Sequence, residues 1–338
     1  MIHKRSLTHA LNLLQQFAVM EPTFALEVGT RSLSRLPNFR QVSLPSGRAL
    51  LYRSGYVERL SAEGVDELRN RYGIRCIFDL RGARELRRTL PGSHVARQYR
   101  HLLLAKDGSQ RPLENELGEN EDETEEAEKG RRYTVDFLGR YFFYSMFMKL
   151  PVGSKLTIGW ALITSLYSGD RSYEARAAQI VLAPRGLTGQ SRDFIDFCQA
   201  ELAAVLRLMT RQENLPCLVH CFLGKDRTGL IAMLLQWLLG TPRQVIEDEY
   251  QLSQTMTEEV RGEAVKYYAE KSLPASFAEC NVEELRAAME YIETKYGGVE
   301  SYLRTTGLSQ QELDLLRRNF GSESSNEELP TDSNSKSS

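Results

Sequence analysis

Short apolar runs alternate with polar and charged stretches along this chain, and two spacings recur within them. Residues 48–52 read as a short strand. Residues 74–80, with Ile74, Cys76, Ile77, Phe78 and Leu80 close together, read as a buried strand, and 215–220 as a third, compact one after a polar loop. Helical spacing appears over 62–71 through Val65, Leu68 and Tyr72. It appears again over 194–209, where Phe197, Leu202, Val205 and Leu206 share one face. Residues 228–239 are apolar nearly all round, which predicts a central helix, and Gly240 and Pro242 close it. Two further helices are predicted over 283–296 and 309–318. Strands alternating with helices in this way predict an α/β fold, a mostly parallel central sheet flanked by helices. An aromatic-rich stretch, 137–150 (Tyr141, Phe142, Phe143, Tyr144, Phe147), is followed by 156–167 with Trp160. Together they predict a helical hairpin insertion over 137–168, with two readings open: a lid over a site, or a pair of helices covering the core.

Some segments lack either spacing. Nine of the fifteen residues 114–128 are Asp or Glu, with almost nothing apolar, so 114–130 is expected to be an acidic, disordered loop. The serine-rich tail 321–338 is expected to be disordered as well. Residues 1–29 form an N-terminal extension, expected to be helical from Leu7, Leu11, Leu14 and Phe17. That leaves one domain over 30–320 of the 338 residues. The 43 Lys plus Arg nearly balance 45 Asp plus Glu, for a net charge of -2. This argues against a nucleic-acid partner, which a basic excess would accompany. The apolar run over 230–240 is about half of the roughly 20 residues a membrane span needs. Five cysteines without a secretory signal fit a reducing compartment, so a cytoplasmic location is expected.

The chemistry lies between the third strand and the central helix: His220-Cys221-Phe222-Leu223-Gly224-Lys225-Asp226-Arg227-Thr228-Gly229. A loop there must sit at a helix N-terminus, where unpaired N–H groups and the positive dipole end converge. Successive N–H donors form a nest for a tetrahedral oxyanion. The guanidinium of Arg227, six residues after Cys221, matches two phosphate oxygens and stays charged. The same field stabilises a thiolate. A nucleophile and a phosphate cradle therefore share one turn, which points to phosphoester cleavage. A nucleotide-binding loop does not fit, because Gly224-Lys225 is followed by Asp226 rather than Ser or Thr. No spacing resembles a metal-ligand set, and the reaction needs no cofactor.

These residues resemble the cysteine-dependent protein tyrosine phosphatases, most closely the tyrosine/serine phosphatase group whose loop reads His-Cys-x-x-Gly-Lys-Asp-Arg-Thr-Gly. Asn38-Phe39-Arg40, Tyr52-Arg53-Ser54-Gly55, Phe78-Asp79-Leu80-Arg81 with Glu85, and the run from Tyr296 to Leu303 are similar to further motifs of that group. The resemblance implies a tyrosine-phosphatase-like fold. Two departures stand out: 149–192 looks inserted, and Glu249-Tyr250 stands where the group has Asp-Tyr.

Roles follow from the reaction and the resemblance. Cys221 attacks phosphorus to form a cysteinyl-phosphate, splitting hydrolysis into two steps. Arg227 and the amides of Phe222, Leu223, Gly224, Lys225, Asp226 and Arg227 hold the phosphoryl oxygens. Thr228 offers its hydroxyl to the departing thiolate, and His220 braces the loop. Asp79, at a strand end, is the expected general acid on the resemblance, and Asp226 within the loop is its competitor. Protein phosphotyrosine is the expected substrate. A phosphoinositide is the alternative, on the strength of Lys225 as a second cation, and an inactive phosphate-binding module is the second alternative. A transient membrane-surface contact through the hairpin, with Lys149 and Lys155 at its turn, is a further expectation. Cys76 and Cys217 read either as buried fillers or as oxidation partners of Cys221.

Overall fold

The computed structural model describes residues 32–82, 93–112, 129–168, 179–255, 258–270 and 272–321. The expected N-terminal helix, nearly all of the acidic loop, Glu85 and the serine-rich tail lie outside those residues.

A seven-stranded sheet organises the rest, in the order β1-β2-β7-β3-β6-β4-β5. Its strands are β1 (Arg40–Gln41), β2 (Leu51–Ser54), β3 (Cys76–Asp79), β4 (Tyr99–Leu104), β5 (Gln110–Pro112), β6 (Gly130–Val135) and β7 (Cys217–His220). The five inner strands run parallel, and the edge strands β1 and β5 are antiparallel to their neighbours. The expected α/β architecture is thus the observed one.

Successive side chains of a strand leave opposite faces of the sheet. Cys76, Phe78, Cys217 and Val219 therefore join a large core on one face, and Ile77 and Leu218 join a smaller one on the other. Eleven helices are used below: α1 (Ala62–Asp66), α2 (Arg140–Lys149), α3 (Val152–Ser168), α4 (Gly186–Phe197), α5 (Gln199–Met209), α6 (Asp226–Leu238), α7 (Arg243–Gln251), α8 (Glu258–Glu270), α9 (Val282–Tyr296), α10 (Val299–Thr305) and α11 (Gln310–Phe320). The central helix is α6. Ile231, Leu234 and Leu235 are buried within the larger core, and each such side chain contributes roughly 1.5–3 kcal/mol of burial.

Several elements differ from the sequence expectation. The helix predicted over 194–209 is two helices, α4 and α5, broken at Cys198 (φ -107°, ψ 25°), whose thiol donates to the Phe137 carbonyl at 3.2 Å. The helix over 62–71 is α1 followed by a wider turn over Glu67–Arg71. Strands β4 and β6 gave no clear signal because they carry polar residues inward: His101, Arg132 and Thr134 are all buried. The two helices expected within 137–168 are present as α2 and α3, joined at Leu150 and Pro151. Val152, Leu156, Trp160 and Ile163 of α3 are exposed. Among the described residues no helix is long and apolar enough to cross a membrane.

Candidate active site

Strand β7 lies between β2 and β3, so the loop that leaves it opens at the carboxyl ends of the parallel strands. In such sheets ligands bind at that end. The loop carries Cys221 directly after His220 and turns into α6 at Asp226. Cys221 is 2% exposed.

The shape of the loop is set by β2 and the residues around it. Gly224 has φ +72°, and a Cβ there would lie 2.3 Å from the Ser54 carbonyl oxygen, so the position requires glycine on both counts. Arg53 is buried beneath the turn. Its Nη2 and Nε donate to the Gly224 carbonyl at 2.6 and 3.2 Å, and Nη2 reaches the Lys225 carbonyl at 3.3 Å. Asn38 donates to the same Gly224 carbonyl at 2.8 Å, and the Tyr56 N–H donates to the Phe222 carbonyl at 3.1 Å. Glu249 holds this support together by accepting from Arg53 at 2.7 Å and from Arg40 at 2.8 Å.

In a planar trans peptide the carbonyl and the following N–H point opposite ways. With the carbonyls of Phe222, Gly224 and Lys225 drawn outward, the N–H groups of Leu223, Lys225 and Asp226 turn to the inside of the loop. Among the described residues no acceptor takes those three N–H groups. Arg227, nearly buried, has its Nη1 anchored on the Leu80 carbonyl at 2.8 Å, and the Leu80 N–H is itself bonded to the His220 carbonyl at 2.9 Å. The first turn of α6 also buries the Thr228 hydroxyl, which has no partner among the described residues.

Helix α8 forms a wall beside the loop. Phe222 packs between Tyr56 (ring centroids 5.3 Å apart) and Tyr267 (4.9 Å). Glu263 braces this helix by accepting from Tyr56 at 3.0 Å and from Arg59 at 2.9 Å. The Tyr268 hydroxyl is pushed well above its ordinary range, first by burial and then by Asp226 and Tyr267, with Cys221 adding to the shift and Arg227 opposing it. Tyr268 thus feels the fields of Cys221, Asp226 and Arg227 together. Sequence reasoning missed the tyrosine pair; the adjacent Tyr267-Tyr268 is its sole trace in the chain. It quoted Asn38, Arg40 and Arg53 for the resemblance and Glu249 as a departure, without a role for any of them.

The three ionisable candidates fall in different places. Asp79 sits in a buried ion cluster behind the loop. It accepts from Arg81 at 2.8 and 2.9 Å and from Arg132 at 2.6 Å, and the His220 Nε2 lies 3.3 Å away. Both arginines also contact buried Glu58. Burial alone would raise the Asp79 pKa, but the charges of Arg81 and Arg132 outweigh it and hold the carboxyl well below its ordinary range. A carboxylate so fixed accepts hydrogen bonds and does not carry a proton at neutral pH. Burial lowers the His220 pKa against the pull of Asp79, which keeps the ring neutral and leaves it a bracing role. Asp226, by contrast, is partly exposed, at the start of α6. Lys225 is fully buried, and its ammonium is bound to the Glu279 carbonyl at 2.5 Å and to Asp226 at 3.2 Å. What Lys225 turns toward the loop's interior is its main-chain N–H.

Cys76 and Cys217 are direct partners in register at the start of their strands. Cys221 lies four residues beyond Cys217, about 13 Å at the usual strand rise, where a disulfide needs Cα atoms within about 7 Å. Burial also pushes both thiols up, so they are core fillers and not oxidation partners of Cys221.

Comparison with known proteins agrees with this geometry. The sequence pattern of a family described as a tyrosine phosphatase family matches residues 31–321. The chain is 27% identical over 312 residues to the triple specificity protein phosphatase PtpB of Mycobacterium tuberculosis, an overlap of 86% of this chain and 98% of that protein. It is 30% identical over 132 residues to a tyrosine-protein phosphatase of Nostoc commune, covering 36% of this chain and 45% of that relative.

Proposed function

Because this chain belongs to the tyrosine phosphatase family, whose members are phosphoric monoester hydrolases, we propose that it dephosphorylates protein phosphotyrosine through a cysteinyl-phosphate intermediate. The observation that carries the reading is the loop itself: its carbonyls are engaged by Arg53, Asn38 and the Tyr56 N–H, and among the described residues no acceptor takes the N–H groups of Leu223, Lys225 and Asp226. Those amides and Arg227 bind the three non-bridging phosphoryl oxygens, and their fixed positions favour the charge that spreads over those oxygens in the transition state. The Cys221 thiolate attacks phosphorus while the P–O bond to the substrate breaks. The departing oxygen takes a proton from Asp226. A water molecule then gives a proton back to the Asp226 carboxylate as it attacks the cysteinyl-phosphate, and the S–P bond breaks to release inorganic phosphate and the Cys221 thiolate. Asp226 is preferred to Asp79 as the acid because it lies in the loop segment itself and is partly exposed, whereas Asp79 is fully buried and held by Arg81 and Arg132. In this reading the Thr228 hydroxyl, buried and without a partner among the described residues, stabilises the thiolate as it leaves.

The aromatic wall of Tyr56, Phe222 and Tyr267 suits an aryl phosphate, whose ring gains contacts there that a serine phosphate does not. The PtpB relative is named for triple specificity, so the substrate range extends in this reading to phosphoserine or phosphothreonine as lesser substrates. A phosphoinositide is the alternative, and the engaged ammonium of Lys225 removes the feature that first suggested it.

The test is acid quenching during turnover of a phosphotyrosine peptide, followed by mass mapping. Phosphate is expected on Cys221, with turnover abolished in Cys221→Ser while peptide binding persists. Phosphate on another residue, or turnover surviving in Cys221→Ser, would overturn the mechanism. Faster turnover of phosphoinositides than of phosphotyrosine peptides would replace the substrate assignment alone.

A further inference from the structure

We propose that the outer face of α3 docks on the surface of an anionic lipid bilayer. A surface helix ordinarily buries an apolar stripe and turns a polar side to water, whereas one that is apolar all round has a second face to cover. Helix α3 is of the second kind. Its inner side carries Ile158 and Ala161, 3% and 5% exposed, and Ile158 packs with Leu150 and Phe147. Its outer side carries Val152, Leu156, Trp160 and Ile163, which are 71%, 69%, 68% and 50% exposed. At about 100° per residue these four fall within a band of about 80° around the helix axis. Exposed apolar side chains scattered singly need no explanation, but a continuous stripe marks an interaction surface. Met148, 52% exposed, stands at the end of α2 just before it.

Charge selects the occupant. Residues 137–168 contain no Asp or Glu, in a chain where 45 of 338 residues are acidic. The one charged residue of α3 is Lys155. It lies about 60° from Val152, on the side away from Trp160, and so edges the stripe. Its ammonium donates to the Met148 carbonyl at 2.9 Å and lies 5.9 Å from the Phe147 ring, and among the described residues no carboxylate neutralises it.

An apolar stripe edged by an unneutralised cation matches acyl chains lying beneath anionic headgroups. Trp160, within the stripe, is the ring type enriched at that depth, where its body is apolar and its N–H meets water. A second copy of the chain fits less well. Two copies joined through α3 would add a second Lys155, and neither 137–168 segment brings a carboxylate to pair with it. The inference is independent of the substrate assignment. Headgroup phosphates of ordinary bilayer lipids are diesters, and the proposed reaction cleaves monoesters, so docking does not require the Cys221 loop to hold a lipid.

The test uses the full chain carrying Trp237→Phe, which leaves Trp160 as its only indole, and vesicles of phosphatidylcholine with phosphatidylserine. Co-sedimentation and a blue shift of the Trp160 emission are expected, both stronger than with vesicles of phosphatidylcholine alone. Adding Leu156→Gln and Ile163→Gln should weaken binding about tenfold or more, since each takes an apolar side chain out of the contact. Lys155→Gln should weaken it about fivefold, and only toward the anionic vesicles. Turnover of a small aryl phosphate is expected to be unchanged in these variants, which shows that they still fold; Lys155→Gln, a change at the edge of the stripe, keeps the test decisive should the double variant fold poorly. Absence of co-sedimentation, or co-sedimentation indifferent to the α3 substitutions, overturns the proposal. So does a concentration-dependent dimer that forms without vesicle binding and is lost with Leu156→Gln and Ile163→Gln, since the face would then belong to a second copy.

Discussion

Asp79 and Asp226 have the same functional group and opposite environments, and that difference separates their roles. Asp226→Asn should lower kcat on a phosphotyrosine peptide by roughly 10²–10⁴, and by much less on an aryl phosphate whose leaving group needs no proton. Asp79→Asn should instead lower both rates alike and reduce stability by roughly 3–5 kcal/mol, because it strips one partner from a buried ion cluster. A leaving-group-dependent loss in Asp79→Asn, without one in Asp226→Asn, would reverse the assignment. Glu284, near the same loop, behaves differently again. Burial pushes its carboxyl up from 4.5 to about 7, against the attraction of Lys225 and with a further push from Asp226. Between those two values the folded chain holds a proton that the unfolded chain has lost, so stability falls as pH rises across that window. Glu284→Gln should flatten this part of the stability profile and stabilise the protein above pH 7. Urea midpoints measured from pH 4 to 8 would reveal it, and an unchanged slope would rule it out.

At the scale of elements, the loop and β2 work as one unit. The loop's carbonyls are held by a strand more than 160 residues earlier in the chain, and Gly224 is where the two backbones come closest. Gly224→Ala should therefore cost at least about 1–2 kcal/mol for the left-handed backbone alone. Displacement of the turn from Ser54 should add to that and lower turnover even where the protein remains folded. Parallel urea and steady-state measurements check both effects, and normal kinetics in a folded Gly224→Ala protein would mean that the turn tolerates the shift. The break between α4 and α5 illustrates a related point. Apolar spacing runs through Cys198 without interruption, so the spacing does not mark the break, and residues of both halves are buried in the same core.

For the molecule as a whole, the buried cluster of Glu58, Asp79, Arg81 and Arg132 ties β3 and β6 to the turn over Val57–Arg59, with His220 at the end of β7 beside it. Its two carboxyls are held below their ordinary values of 4.5 and 3.8, where burial is outweighed chiefly by Arg81. The stability they supply is present above those ordinary values and is lost as pH falls through the depressed ones. Unfolding midpoints should therefore drop below about pH 5, with a shallower drop in Glu58→Gln; an identical acid profile in that variant would remove the cluster from the account. Apart from Asp79 beside Arg81 in the chain, this cluster was not legible beforehand, since a buried arginine such as Arg132 looks like a surface residue until its partners, brought from distant segments, are known. The candidate loop was legible because 220–229 is contiguous: the order of cysteine, glycine and arginine and the start of α6 lie within one short segment. The alternation of strand and helix was legible for the same reason, since each period is set within one element. Tertiary structure decided which carboxyl is buried among arginines and where the Lys225 ammonium is bound. Those outcomes depend on register and packing between segments far apart in the chain, which no local spacing records.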